Sequence, residues 1–280
     1  MRSRLLLVLF LICPIFACAK ELRWENHPEW AKDMAAVGLT GTMVIYDEQT
    51  DRWLALDRER AQTRFSPAST FKLFNALVAL DTGAVKDEYE VVRWNGVKRR
   101  YDFWDRDPSL ASGMAFSTVW FYQEMARRAG PQRMQQWLDR VGYGNRDIGG
   151  GIDRFWLIGG ALRISPVEQI EFLRKLAHGD LPFSARAQEA VRRITIVDAA
   201  PDFTLHGKTG WGSRTGKTDD DTMGWLVGWV ERAGRRWFYA LNVDMPRGEA
   251  DLAQRVPLAR TLLVRAGALP APKSLSLHSS

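Results

Sequence analysis

Residues 66–80 read SPASTFKLFNALVAL, and Lys72 is the only charged side chain in them. Serine followed by proline predicts a helix start, with Ser66 as N-cap and Pro67 in the first turn. Ser69 then falls in the first turn, and Lys72 lies three residues on, on the same face. A helix this apolar all round predicts burial at the centre of the molecule, with other elements packed about it. Two readings of Lys72 stay open. Its chain snorkels to water, or its ammonium form is disfavoured by desolvation and by the positive end of the helix dipole. At the reference pKa, roughly one lysine in 2,500 is neutral at pH 7. A fall of about 3 units makes the neutral amine a substantial fraction, able to take a proton from Ser69 or to combine with carbon dioxide.

Working outward, residues 42–46 (TMVIY), the polar 47–51 and residues 53–56 read as a hairpin. From Pro67 to about Gly150 the periodicity is mostly helical. One helix is expected over 117–129, stopped by Gly130 and Pro131, and another over 131–141, stopped by Gly142. Ser165-Pro166-Val167-Glu168 is a capping box that opens a helix through Leu176. Strands return over 203–209, 224–230 and 237–243, and a last helix over 252–265. The fold class is α/β of the α+β kind: a mixed, mostly antiparallel sheet flanked by terminal helices, with a helical lobe inserted. The sheet lobe is expected over about 20–66 and 200–268 and the helical lobe over about 67–199. Together they make one two-lobed domain over 20–270, with 271–280 a disordered tail. A cleft between the lobes is the natural place for a site.

The whole chain has 280 residues, 46% apolar and 26% charged, which excludes wholesale disorder and collagen-like or disulfide-scaffold classes. Net charge is +6, but the pairs Arg99-Arg100, Arg127-Arg128, Arg192-Arg193 and Arg235-Arg236 are dispersed. A nucleic-acid groove wants a basic stripe, so no nucleic-acid partner is expected. Arg2 and Arg4 precede an apolar run over 5–16, then small residues at Ala17 and Ala19. That is the order of a secretory signal cleaved after Ala19, giving a periplasmic protein. About 12 apolar residues are too few for a membrane span. An alternative is a lipid anchor at Cys18, since Ile15-Phe16-Ala17-Cys18 loosely resembles a bacterial lipobox. Cys13 and Cys18 are the only cysteines, so the mature chain would have no disulfide, thiol nucleophile or cysteine zinc site.

His27, His178, His206 and His278 form no H-x-H or H-E-x-x-H pattern, and no G-x-S-x-G elbow exists, which speaks against a Ser-His-Asp hydrolase. The run 212–218 (GSRTGKT) imitates a phosphate loop but has three residues between its glycines where four are needed, and aspartates follow. It reads as a charged hairpin loop at the cleft mouth. Met114, Phe116, Trp120 and Phe121 read as packing.

Four short motifs remain: Ser69-x-x-Lys72, Ser117-Thr118-Val119, Tyr143-Gly144-Asn145, and Lys208-Thr209-Gly210 followed by Trp211. Alone, each has a plain explanation: a helix turn, a helix-ending turn or a strand end. In this order and spacing they resemble the class D, oxacillinase-type, serine β-lactamases. The resemblance covers roughly 21–267 and includes Phe155-Trp156-Leu157, the run 162–176 (LRISPVEQIEFLRKL) and 181–184 (LPFS).

The resemblance implies the serine β-lactamase and penicillin-binding transpeptidase fold, and hydrolysis of penicillin-type β-lactams. It implies that Ser69 is acylated and that Lys72, carbamylated to N6-carboxylysine, is general base for both half-reactions. Trp156 would hydrogen-bond the carbamate through its donor-only indole N–H. Val119 and Leu157 would keep it dry, and Ser117 would relay a proton to the lactam nitrogen. Lys208, Thr209 and Gly210 would hold the substrate carboxylate, joined by Arg255, with Arg247 and Arg260 as competing arginines. The backbone N–H groups of Ser69 and Trp211 would form the oxyanion hole. No metal or organic cofactor is implied, only carbon dioxide or bicarbonate. Monomer and homodimer both stay open. A penicillin-binding sensor domain and a penicillin-binding carboxypeptidase or transpeptidase share these motifs. They differ in how long the acyl group stays on the serine.

Overall fold

The structure, a computed structural model, describes residues 22–216 and 221–271. The expected leader, with Cys13, Cys18 and Ala19, lies outside the described residues, as do 217–220 of the charged loop and 272–280 of the tail.

In chain order, β1 (Trp24–Asn26) and α1 (Trp30–Ala36) precede the hairpin β2 (Thr40–Asp47) and β3 (Arg52–Ala55), then α2 (Arg58–Gln62). A 3-10 turn (Ala68–Phe71) runs directly into α3 (Lys72–Asp81). Next come α4 (Leu110–Ala115), α5 (Val119–Ala129), α6 (Pro131–Val141), α7 (Pro166–His178) and α8 (Ala185–Ile194). The chain then returns to strands β4 (Ile196–Ala200), β5 (Phe203–Ser213), β6 (Thr222–Arg232) and β7 (Arg235–Asp244), ending in a 3-10 helix (Gly248–Gln254) and α9 (Arg255–Arg265). The strands form one seven-stranded sheet in the order β1-β3-β2-β7-β6-β5-β4. Every neighbouring pair is antiparallel except β1 with β3. The mixed, mostly antiparallel sheet with helices is thus the observed fold.

Each face of the sheet carries its own core. On one face α3 is buried on all sides, as its composition requires: Leu73, Phe74, Leu77 and Val78 pack among Phe121, Tyr122, Phe155 and Phe172. On the other face Trp30 and Met34 of α1 meet Leu258 and Leu262 of α9 over Ile45, Leu241 and Val243. The capping box forms as read: Glu168 N–H donates to Ser165 Oγ, and Ser165 N–H donates to the Glu168 carboxylate.

Three local readings need correction. Ser66 does not cap a helix. Ala68 adopts φ +48°, which swings the chain so that Ser66 Oγ instead donates to the Trp156 carbonyl at 3.2 Å. The fifth helix starts at Val119, because Ser117 sits at φ +53° in the left-handed region and cannot continue a helix. Residues 94–109 are coil apart from a short 3-10 turn over Asp102–Trp104, although helical periodicity was expected through about Gly150.

The sheet positions the site through one free edge. Strand β4 pairs with β5 only over Phe203–His206 of the longer strand, so among the described residues β5 has no strand partner on that side from Gly207 onward. That edge lies against the 3-10 turn. A Cβ on Gly210 would stand 3.2 Å from both Pro67 O and Thr70 Cγ2, and one on Gly212 would stand 3.1 Å from Ala68 Cβ. Glycine permits this closeness.

Candidate active site

Ser69 is half-buried on the 3-10 turn, and Lys72 opens α3 directly behind it. Lys72 is fully buried and its Nζ donates to Ser69 Oγ at 2.5 Å. Desolvation holds the ammonium well below the ordinary lysine range, and the charge of Lys208 adds to the effect. The snorkelling alternative therefore loses. A buried amine is left in contact with a hydroxyl.

Trp156 is also fully buried. Its ring stacks on Phe71, the residue before Lys72, with centroids 5.1 Å apart, and Phe155 packs edge-on against both rings. Its indole Nε1, a donor only, has no hydrogen-bond partner among the described residues. A buried donor left unpaired costs free energy, so this position suits an acceptor. Tyr122 closes the space above Lys72, its ring centroid 5.7 Å from Nζ.

On β5, Lys208 Nζ donates to Ser117 Oγ at 3.0 Å and to the Thr209 carbonyl at 3.1 Å, although Lys208 itself does not line the cleft that holds Ser69. The contact joins the segment between α4 and α5 to β5, at a residue whose φ of +53° lies in the left-handed region. Burial pushes the Lys208 ammonium down to about 7, helped by repulsion from Arg255. Arg255, the first residue of α9, is itself buried and is lowered to about 10 by desolvation. It donates through Nη1 to the Gly210 carbonyl and through Nε to the Leu252 carbonyl.

Ser69, Ser117, Val119, Thr209, Gly210, Trp211 and Arg255 line one cleft of about 620 Å³. Leu157 is half-buried beside the same aromatic core that holds Trp156. The two competing arginines stand elsewhere: Arg247 is bound to Asp251 and the Val37 carbonyl, and Arg260 pairs with Asp198 at 2.7 Å. Tyr143-Gly144-Asn145 does not line the cleft. Asn145 instead ties its loop down, donating to the Ala161 carbonyl at 2.9 Å and accepting from Arg163 N–H at 2.8 Å.

Sequence reasoning missed part of the lining. Arg100, Tyr101, Phe103 and Trp104 come from coil and a short 3-10 turn, which carry no periodic signal, and Glu249 from the 3-10 helix before α9. Phe116, read as packing, is exposed and lines the cleft, while Met114, Trp120 and Phe121 are indeed buried. The only available signal was position, immediately before Ser117-Thr118-Val119.

A serine on a buried helix start, touched by a desolvated lysine and faced by a Lys-Thr-Gly strand, can attack an acyl carbonyl while backbone N–H groups receive the oxyanion. Chemistry of that kind is serine acyl transfer, and residues 41–264 match the family model "Penicillin binding protein transpeptidase domain". The chain is 39% identical over 273 residues to beta-lactamase OXA-48 of Klebsiella pneumoniae, covering 96% of this chain and 100% of that one. It is 40% identical to beta-lactamase OXA-3 of Pseudomonas aeruginosa, covering 96% of each. The crystal structure of FUS-1 (OXA-85), a class D β-lactamase from Fusobacterium nucleatum subsp. polymorphum, superposes with TM-score 0.82 at 36% identity. That match covers 88% of this chain and all of the other, 100%. The chain belongs to the class D β-lactamases.

Proposed function

We propose that this class D serine β-lactamase opens the lactam amide of penicillin-type substrates through an acyl ester on Ser69, with Lys72 as its N6-carboxylated general base. The single observation that carries the reading is the buried Lys72 amine against Ser69 Oγ, on a helix stacked beneath an unpartnered Trp156 donor. In that setting a neutral amine can bond to carbon dioxide, losing a proton to solvent. The carboxylate so gained supplies a base whose negative charge Trp156 Nε1 can receive.

The chain's own residues then divide the work. Lys208, Thr209 and Arg255 present positive charge and a hydroxyl to the substrate carboxylate, which orients the lactam carbonyl over Ser69. The N–H groups of Ser69 and Trp211 receive the oxyanion; the first helical turn leaves such N–H groups without carbonyl partners. Ser117 Oγ, held by Lys208, passes a proton to the departing nitrogen. Val119 and Leu157 exclude all but the hydrolytic water. Arg255 is preferred over Arg247 and Arg260 because it alone of the three lines the cleft. Export to the periplasm is the matching localisation, resting on the leader-like residues 1–19. Among the described residues no helix is long and apolar enough to cross a membrane.

Mixing the protein with labelled penicillin and following adduct mass tests the reading. An adduct on Ser69 that vanishes quickly as penicilloate accumulates, and slows when bicarbonate is removed, is expected. An adduct that persists for hours points to a sensor or transpeptidase; none on Ser69 ends the proposal.

A further inference from the structure

Side chains outside all the motifs bridge the mouth of the cleft. Arg100 Nη2 donates to Glu249 Oε2 at 2.5 Å, and Tyr101 OH donates to Glu249 Oε1 at 2.5 Å. The two donors belong to the coil that precedes α4. Their acceptor lies on the 3-10 helix that leads into Arg255. The Arg100 guanidinium also stands 5.1 Å over the ring of Trp211. One strap therefore touches both opposing elements, and Arg100, Tyr101 and Glu249 all line the cleft beside Ser69.

The root of this strap is fixed and its tip is not. At the root, Trp104 Nε1 donates to the Phe116 carbonyl at 2.9 Å, and Trp120 Nε1 donates to the Trp104 carbonyl at 2.8 Å. Tyr101 packs edge-on against Trp104 at 4.9 Å. At the tip the hold is the Glu249 carboxylate and the face of Trp211, and the ion pair's side chains are 60% and 46% exposed. Exposed pairs of this kind are weak and are screened by salt, so the strap opens readily.

We propose that Arg100, Tyr101 and Glu249 form an ionic clasp that selects β-lactams by side-chain bulk. A compact substrate reaches Ser69 beneath the closed clasp, whereas a bulky side chain requires the Arg100–Glu249 contact to break. The inference rests on reading this cleft as the β-lactam site.

The test compares kcat/KM for a penicillin with a biaryl side chain against one with a short alkyl side chain. Glu249→Gln is expected to raise the bulky-to-compact ratio about 2–5-fold, the range an exposed ion pair can supply. Added sodium chloride should raise the ratio in the parent and leave it flat in Glu249→Gln. Arg100→Glu and Glu249→Arg should each raise it, and the double exchange should bring it back toward the parent value. A ratio that stays the same in Glu249→Gln, while the Ser69 adduct still forms, overturns the clasp alone. So does a salt response that survives the substitution. A parent protein that forms no Ser69 adduct overturns the site reading, and the clasp's role with it.

Discussion

Trp156→Phe removes one hydrogen-bond donor and leaves the stacking on Phe71 in place, so it isolates what the indole N–H does. A hydrogen bond to a charged group is commonly worth about 1.5–3 kcal/mol, or roughly 10–100-fold. Deacylation is expected to slow by that order, with acylation slowed less and more bicarbonate needed for half-maximal activity. Rapid-quench mass measurement separates the two steps, and equal losses would tell against the role. Lys208 supplies a second expectation. Its ammonium lies at about 7 in the free protein, so it is charged below that pH and neutral above. The substrate carboxylate prefers the charged form, and kcat/KM reports the free enzyme. It should therefore fall as pH rises above about 7, mainly through KM, and Lys208→Arg should move that limb upward. Lys72 acts in the opposite sense, because its lowered ammonium pKa favours the neutral amine as pH rises. That Ser69 and Lys72 touch was legible because a three-residue spacing survives folding; that Lys208 meets Ser117 was not, since 91 residues separate them. The fate of Ser66 was not, since it depends on the φ of Ala68, which no spacing records.

Strand β5 shows at the next scale why element ends were harder to read than their centres. The strand expected over 203–209 already contains Gly207 and runs on through Gly210 and Gly212 to Ser213. Glycine there serves close approach: a Cβ at Gly210 would meet Trp225 Cβ at 3.1 Å as well as Pro67 O and Thr70 Cγ2 at 3.2 Å. Gly210→Ala therefore requires Trp225, Pro67 and Thr70 to give by a few tenths of an ångström, which shifts β5 against the turn that carries Ser69. Displacements near 1 Å can cost about 10²-fold in rate, so this smaller shift should cost roughly 3–10-fold in kcat, with the far-UV circular dichroism of a folded protein retained. Full activity would show that the turn and the strand move together. The boundary between α8 and β4 failed to announce itself for a related reason. No glycine or proline separates Ile194 from Ile196. The helix ends because Thr195 is claimed by the sheet, its carbonyl accepting from Gly207 N–H at 2.9 Å and its hydroxyl 3.0 Å from His206 Nδ1. Tertiary pairing ends that helix, which local pattern cannot show.

In the whole molecule, the two cores leave the loop carrying Trp156 and Leu157 and the β5–β6 connection to be joined outside the sheet. Arg163 makes that join. Its guanidinium donates to the carbonyls of Gly160, Leu162 and Thr215, each at 2.8 Å, while Gly159 N–H donates to the Gly216 carbonyl at 2.7 Å. Burial lowers its pKa. The sheet with its inserted helices was legible from the alternation of apolar periods, but a strap of this kind was not, because an arginine that satisfies backbone carbonyls leaves no motif. Arg163→Ala removes three carbonyls' donor at once. Where water replaces part of the loss, the cost should be about 1–2 kcal/mol, read as a lower urea midpoint at unchanged slope. Because the same bonds tie down the loop that carries Trp156, the bicarbonate needed for half-maximal activity should rise as well. Arg163→Lys, which keeps the charge but not the fork, should fall between parent and alanine variant in both measurements. A variant that lost stability with an unaltered bicarbonate response would show that Arg163 braces the fold without positioning the site.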